Sequence, residues 1–155
     1  MLAERVVLAR AGVDRLGLSN RITEVFALER VLTAPAQGAL AVQTRADDAA
    51  LNRSLRGLEH VPTRLAVETE RAVLHELRGG CSVPVGAYAY VEGEQIFVDA
   101  GVFAPFGDRA LRVHVEGRAP ARTGAQAARR LLDIGAGEIL AEFERQPRLV
   151  PGARP

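Results

Sequence analysis

The sequence contains no lysine, and all 20 of its basic residues are arginines. These 155 residues therefore cannot house a mechanism that needs a Schiff-base lysine or a lysine general base. Nineteen acidic residues bring the net charge to +1, which excludes a polybasic nucleic-acid-binding protein. Arginine binds carboxylates and phosphates through a planar fork of donors, although a GC-rich coding sequence also produces this composition.

Cysteine and long apolar runs are scarce as well. The single cysteine, Cys81, cannot form an internal disulfide. No run of about 18 apolar residues predicts a membrane span, and the opening residues MLAERVVLAR do not resemble a signal peptide. We therefore expect a cytoplasmic protein with no membrane partner. His60, His75, His114 and Cys81 lack the usual metal-ligand spacing, so no metal site is expected.

The spacing of apolar residues, glycines and prolines predicts an α+β fold. Three strands joined by tight turns predict an antiparallel sheet, which helices with apolar stripes would cover on one face. The predicted elements are a helix over 4–16 that ends at Gly17, a strand over 38–45, a helix from Asp47–Asp48 to about Leu58, a helix from Pro62 to Gly79, strands over 85–91, 95–103 and 109–115, a helix over 123–134, and a short helix over 138–143.

Cys81 follows two glycines in the segment LRGGCSVPVGAYA, between a predicted helix and a predicted strand. The glycines let the backbone turn sharply and leave room beside the sulfur, and Pro84 stiffens the exit. Such a cysteine is suited to covalent chemistry. Taken by itself, however, the segment favours a structural or incidental cysteine.

Several motifs in order resemble the porphobilinogen deaminase (hydroxymethylbilane synthase) family. They are LARAGVDRLGL, LTAPAQGALAV, RADD, LEHVPTRLAVETERAVLHELRGGC and RRLLDIGAGEIL, and together they span almost the whole chain. Thr33 and Ala36 replace the Pro and Gly usual in the family's LPAPGQGAL, and Gln43 and Thr44 also depart from its pattern. The resemblance is to the C-terminal half of the family's enzymes.

The resemblance implies a transferase that polymerises porphobilinogen into hydroxymethylbilane with ammonia release, in tetrapyrrole (haem and chlorophyll) biosynthesis. Cys81 would anchor the dipyrromethane cofactor by a thioether, and a porphobilinogen-derived oligopyrrole would be the bound partner. Arg15, Arg21, Arg45 and Arg71 match family positions implicated in contact with the cofactor or substrate. Their guanidinium forks suit the acetate and propionate groups of each pyrrole.

The catalytic aspartate of the family lies in its N-terminal domain, so no catalytic acid is assigned here. Asp14, Asp47 and Asp48 are available, but Asp47 and Asp48 are better explained as helix-capping residues. We expect the chain alone to be inactive, and its partner, if the enzyme is split, to be the missing N-terminal half. The intact enzyme is expected to be a monomer. The alternative is a non-catalytic, stand-alone domain that binds a protein partner or pyrroles.

The resemblance also divides the chain, because the family's fold has three domains. Partial elements of two other α/β domains would precede the sheet domain. The expected segments are a remnant of the second domain and hinge (1–36), a returning strand and linker helix (37–57), the C-terminal cofactor-anchoring domain (58–145) and a flexible tail (146–155).

Overall fold

The computed structural model describes residues 6–78 and 83–145. The chain divides into two compact units, Met1–Val31 and Leu32–Pro155. The tail predicted over 146–155 lies outside the described residues. In chain order the α-helices and strands are α1 (Arg10–Arg15), α2 (Ala49–Leu55), α3 (Val61–Glu76), β1 (Val85–Glu92), β2 (Gln95–Phe103), β3 (Ala110–Gly117), α4 (Pro120–Asp133) and α5 (Ala136–Arg145).

The first unit contains α1 and a 3₁₀ turn over Ser19–Arg21. The helix predicted over 4–16 is too long: α1 begins at Arg10, and Ala9 before it is extended and gives no side-chain cap. Short helices depend on the packing of an apolar face, and the side chains of Val6 and Val7 are exposed. The predicted end is confirmed, because Gly17 adopts the left-handed conformation with φ +70°.

The second unit is built on a three-stranded antiparallel sheet in the order β1-β2-β3. Val98 in the central strand lies opposite Ala89 on one side and Val115 on the other. Gly93 and Gly107 take positive φ values of 61° and 74° in the two tight connections. The three predicted strands are confirmed to within one or two residues at their ends.

Helices α3, α4 and α5 pack on one face of this sheet, as predicted for the α+β class. Alternate residues of β2, among them Val98, Ala100 and Val102, are buried beneath them. The contact between α3 and α4 is close because Gly124 has no side chain. A Cβ built there would lie 2.3 Å from the carbonyl oxygen of Thr69. The opposite face carries half-buried aromatic side chains, with Tyr90 and Phe97 stacked at 5.0 Å.

The strand predicted over 38–45 is wrong. Residues 39–45 have no regular structure, Leu40 is 100 % exposed and Val42 is 69 % exposed. The alternation of the sequence is compatible with a strand, but a strand exists only where its N–H and C=O groups pair with a neighbour. Within the described part of the chain the sheet consists of β1, β2 and β3 alone.

Helix α2 begins where the two aspartates predict it. Asp48 is the N-cap, and its carboxylate accepts a hydrogen bond from the backbone N–H of Leu51 at 3.0 Å. Pro62 lies in the first turn of α3, as predicted. None of the helices in 6–78 and 83–145 is long and apolar enough to cross a bilayer.

Candidate functional site

The segment that contains Cys81 joins α3 to β1. Residues 79–82 lie outside the described residues, so the predicted accessibility of the sulfur stays a prediction. Both ends of the segment are held by the fold. Leu77 is buried in the core, and Arg78 donates its backbone N–H to the carbonyl of His75 at 3.0 Å. On the other side, Phe103 in β2 donates its N–H to the carbonyl of Pro84 at 3.0 Å.

Arg78 has a backbone φ of +52°, in the left-handed region that favours glycine. It therefore ends α3 in a conformation that is costly for a residue with a Cβ. The chain turns out of α3 one residue before the Gly79–Gly80 pair, a position that the glycines alone do not indicate.

Arg15 and Arg21 belong to the first unit. Arg15 is the last residue of α1 and Arg21 the last of the 3₁₀ turn, and both side chains are exposed. The intervening segment is fixed by Asp14, which accepts hydrogen bonds from Ser19 at 2.6 Å and from Arg10 at 3.3 Å. Neither Arg15 nor Arg21 makes an ion pair within the described residues, so both guanidinium groups are available to a ligand.

Arg45 lies in the second unit, immediately before the turn that leads into α2. Its side chain is exposed, and its backbone carbonyl accepts hydrogen bonds from the N–H of Asp48 at 3.3 Å and from the amide of Asn52 at 3.1 Å. The backbone of Arg45 is thus held while its guanidinium reaches solvent.

Arg71 lies on the exposed side of α3, at a shallow open depression beside the N-terminus of α4. Arg64 shares this depression, but Glu59 at 3.1 Å and Glu68 at 2.8 Å neutralise it. These contacts raise the pKa of Arg64, chiefly through the hydrogen bond to Glu68. Among the described residues Arg71 has no carboxylate partner, so it is the uncompensated positive charge of this depression.

Two of the four arginines lie in the first unit and two in the second, and no hydrogen bond or ion pair of the described residues joins Arg45 to Arg71. All four differ from the arginines that form surface ion pairs, namely Arg10, Arg30, Arg64, Arg109 and Arg129. An unpaired guanidinium does not by itself identify a ligand. Seven others also lack ion pairs in the described part of the chain: Arg53, Arg56, Arg78, Arg118, Arg122, Arg130 and Arg145.

Glu70 is a buried carboxylate that the sequence analysis missed. It is 6 % exposed, and its two oxygens accept hydrogen bonds from the backbone N–H groups of Ala36 at 2.5 Å and Ala89 at 2.8 Å. Burial raises the pKa of Glu70, and the two donors offset part of this effect. The signal was present in the sequence, since Glu70 falls on the apolar face of α3 with Ala66, Val73 and Leu77.

Glu70 fixes the hinge-like segment 32–38 to the sheet domain. Thr33 adds a second connection, because its carbonyl accepts the N–H of Ala87 in β1 at 3.0 Å. Gly86 allows this close approach, since a Cβ built there would lie 2.7 Å from the Cβ of Leu32. The segment that precedes Arg45 is therefore part of the second unit.

Asp14 and Asp48 have side-chain partners, whereas Asp47 does not cap α2, contrary to the expectation. Asp48 caps α2, as expected, and Asp14 bridges Arg10 and Ser19. Asp47 is exposed, and its backbone carbonyl accepts the N–H of Ala49 at 2.9 Å. No three His, Cys, Asp or Glu side chains in 6–78 and 83–145 form a cluster that could hold a metal ion.

Comparison with known proteins gives two family models in the order of the chain. The model "Porphobilinogen deaminase, dipyromethane cofactor binding domain" matches residues 2–53, and "Porphobilinogen deaminase, C-terminal domain" matches residues 64–133. The second match includes Cys81.

Curated relatives named porphobilinogen deaminase agree with these matches. The protein of Brevibacillus brevis is 41% identical over 144 residues, which is 92% of this chain and 47% of the relative. The protein of Desulfitobacterium hafniense is 45% identical over 138 residues, covering 89% of this chain and 45% of the relative. That of Nocardia farcinica is 43% identical over 162 residues, covering 97% and 46%. The chain spans about half the length of these relatives, and it belongs to the porphobilinogen deaminase family, a family of transferases.

Proposed function

We propose that the chain supplies the cofactor-anchoring part of a hydroxymethylbilane synthase, with Cys81 as the thioether attachment point of dipyrromethane. The observation that carries the proposal is the pair of family matches, of which the second contains the chain's only cysteine. The match over 2–53 supports a dipyrromethane cofactor in this family. The alternative, a non-catalytic binding module, is not favoured by these matches.

The residues of the chain fit such a cofactor chemically. Dipyrromethane carries acetate and propionate groups, and guanidinium forks are their best-matched counter-groups. Arg15, Arg21, Arg45 and Arg71 are exposed and have no carboxylate partner among the described residues. A carboxylate ligand would therefore not have to displace an internal ion pair at any of them.

Each part of the chain has a defined task in this proposal. Cys81 holds the primer between α3 and β1, in a segment flanked by Arg78 and Pro84, which are hydrogen-bonded to His75 and Phe103. Arg15, Arg21, Arg45 and Arg71 neutralise and orient carboxylates as the oligopyrrole grows. The bound cofactor would supply the pyrrole to which the next porphobilinogen unit is joined.

The acid–base chemistry is not assigned to this chain. General acid–base assistance is worth about 10²–10⁴-fold in rate, and positioning contributes more. An exposed ion pair contributes at most about 1 kcal/mol, which is too little for single arginines to hold an oligopyrrole in register. We therefore expect these 155 residues, assayed alone, not to convert porphobilinogen at a measurable rate.

The test is a reconstitution assay. Porphobilinogen is supplied as the substrate, and turnover is followed by ammonia release and uroporphyrin fluorescence. One sample contains the chain alone, and the other contains the chain mixed with the N-terminal half of the Desulfitobacterium hafniense relative. We expect turnover only in the mixture and none with the Cys81→Ser variant. Turnover by the chain alone would contradict the proposal, and so would turnover of the Cys81→Ser mixture. If both halves fold and bind each other without turnover, the binding-module alternative gains support.

The arginines are tested in the same mixture. Replacing Arg15 or Arg45 by Gln removes a charge-assisted pair, and we expect kcat/KM to fall about tenfold or more. Arg53→Gln is the matched control, because Arg53 is also exposed and unpaired among the described residues but is not one of the four arginines that the resemblance implicates. An equal loss in Arg53→Gln would show that only overall charge matters.

A further inference from the structure

The side chain of Asn52 in α2 makes hydrogen bonds to the chain at the start of the turn between Arg45 and Asp48. The amide nitrogen of Asn52 donates to the carbonyl oxygen of Arg45 at 3.1 Å. The amide oxygen of Asn52 accepts the hydroxyl of Thr44 at 2.5 Å. One half-buried side chain thus binds two consecutive residues, seven and eight positions before it in the chain.

Among the described residues, hydrogen bonds to Asn52 and Asp48 fix the backbone at Arg45. Residues 39–44 have no regular structure, and Leu40 and Val42 are exposed rather than packed. The remaining bond to the Arg45 carbonyl, from the N–H of Asp48, is longer at 3.3 Å. Asn52 is itself held in the first turn of α2, because Asp48 caps this helix and the backbone N–H of Asn52 donates to the carbonyl of Asp48 at 3.0 Å.

We propose that Asn52 is a positioning residue for Arg45, which holds the Thr44–Arg45 backbone on α2 so that the guanidinium is presented to a pyrrole carboxylate. This inference rests on the proposed function, in which Arg45 is a carboxylate ligand. An arginine on a loose segment would have to be ordered on binding, and ordering in advance removes that entropy loss from the binding step.

The experiment follows the Arg45 guanidinium directly. The chain is labelled with ¹⁵N-arginine and mixed with the unlabelled N-terminal half of the Desulfitobacterium hafniense relative, the Nε–H resonance of Arg45 is assigned by its loss in Arg45→Gln, and porphobilinogen is titrated as the probe at low temperature, where turnover is slow. We expect a saturable shift in the wild type. In Asn52→Ala the apparent Kd should rise about threefold to tenfold, the loss expected for ordinary hydrogen bonds. Thr44→Val, which removes one of the two bonds, should have a smaller effect of the same sign.

A matched control separates positioning from helix stability. Ser54→Ala removes the hydroxyl bond to the carbonyl of Ala50 at 3.2 Å within α2 and touches neither Thr44 nor Arg45. It should leave the Arg45 titration unchanged. Alanine has a higher helix propensity than asparagine, so Asn52→Ala should preserve the α2 amide resonances while weakening the Arg45 response. If Asn52 served only the stability of α2, Asn52→Ala would leave the Arg45 response unchanged.

The outcomes distinguish the two levels of the proposal. If Arg45 in the wild type does not respond to porphobilinogen, its role as a ligand in the proposed function is overturned, and the inference with it. If Arg45 responds equally in the wild type and in Asn52→Ala, only the positioning role is overturned. A weaker response in Asn52→Ala and Thr44→Val, with Ser54→Ala unchanged, supports the inference.

Discussion

Replacing Glu70 by alanine removes the carboxylate that joins the segment around Ala36 to β1. The Ala89 N–H is buried beside this carboxylate, and the loss of its acceptor is expected to cost about 1–3 kcal/mol. The Ala36 N–H is only partly buried, so water can replace the carboxylate there, and its loss should cost about 0.5–1.5 kcal/mol. Removal of a desolvated charge offsets part of both losses. We expect the free energy of unfolding to fall by about 1.5–4 kcal/mol.

Urea denaturation measures this change, and Glu68→Ala is the matched control. Glu68 lies on the same helix and carries the same charge, but it is exposed and pairs with Arg64 at 2.8 Å. Its removal should cost no more than about 0.5 kcal/mol. Amide exchange in Glu70→Ala should accelerate at Ala36 and Ala89 in particular. If Glu70→Ala and Glu68→Ala are equally stable, the role assigned to Glu70 is refuted.

The pH dependence of stability provides an independent check on Glu70. Burial raises the pKa of its carboxyl above the ordinary value of 4.5, so the folded state binds the proton more tightly than the unfolded state. The proton-linked part of the contribution of Glu70 to the free energy of unfolding is therefore fully present below pH 4.5 and is lost as the pH rises through the folded pKa, whereas the hydrogen bonds to Ala36 and Ala89 remain. Glu70→Gln cannot titrate, so the free energy of unfolding of the wild type minus that of Glu70→Gln should decrease as the pH rises through this range. An increase of this quantity with pH would contradict the assigned sign.

Two further substitutions test the backbone geometry. Ala36→Gly should raise the free energy of unfolding by about 0.5–1 kcal/mol, because Ala36 has a φ of +66°, which favours glycine. Urea denaturation measures this change, and a loss of stability would refute the prediction. Gly124→Ala should lower the free energy of unfolding by about 3 kcal/mol or more, because its Cβ would meet the Thr69 carbonyl oxygen at 2.3 Å and the Ala72 Cβ at 2.7 Å. Gly137→Ala, whose Cβ would meet nothing closer than 4.0 Å, is the control and should be neutral or stabilising in thermal unfolding.

Local signals in the sequence predicted the sheet domain well. The Asp48 cap, Pro62 and the glycine turns each act through neighbours within a few residues, so the sequence displays them directly. The prediction that helices cover one face of the sheet is also confirmed, since the buried strand residues and the helices lie on the same side.

Features that depend on distant partners were not predictable in this way. The strand expected over 38–45 requires a neighbouring strand, and none of the described strands pairs with it. Glu70 binds backbone groups 34 and 19 residues away, so its spacing on the apolar face of α3 could suggest burial but not its partners. The family positions of Arg15, Arg21, Arg45 and Arg71 came from resemblance, and the structure adds that their guanidinium groups are exposed and uncommitted within the described residues.

Mass spectrometry of the chain tests the attachment of dipyrromethane to Cys81 most directly. With no lysine present, trypsin cleaves only after arginine and releases residues 79–109, which contain the only cysteine. In the chain recovered from an active mixture with the N-terminal half, this peptide should carry the mass of a dipyrromethane with its acetate and propionate groups. The adduct should be absent from Cys81→Ser. An active mixture in which the Cys81 peptide is unmodified, or carries the adduct on another residue, would contradict the account.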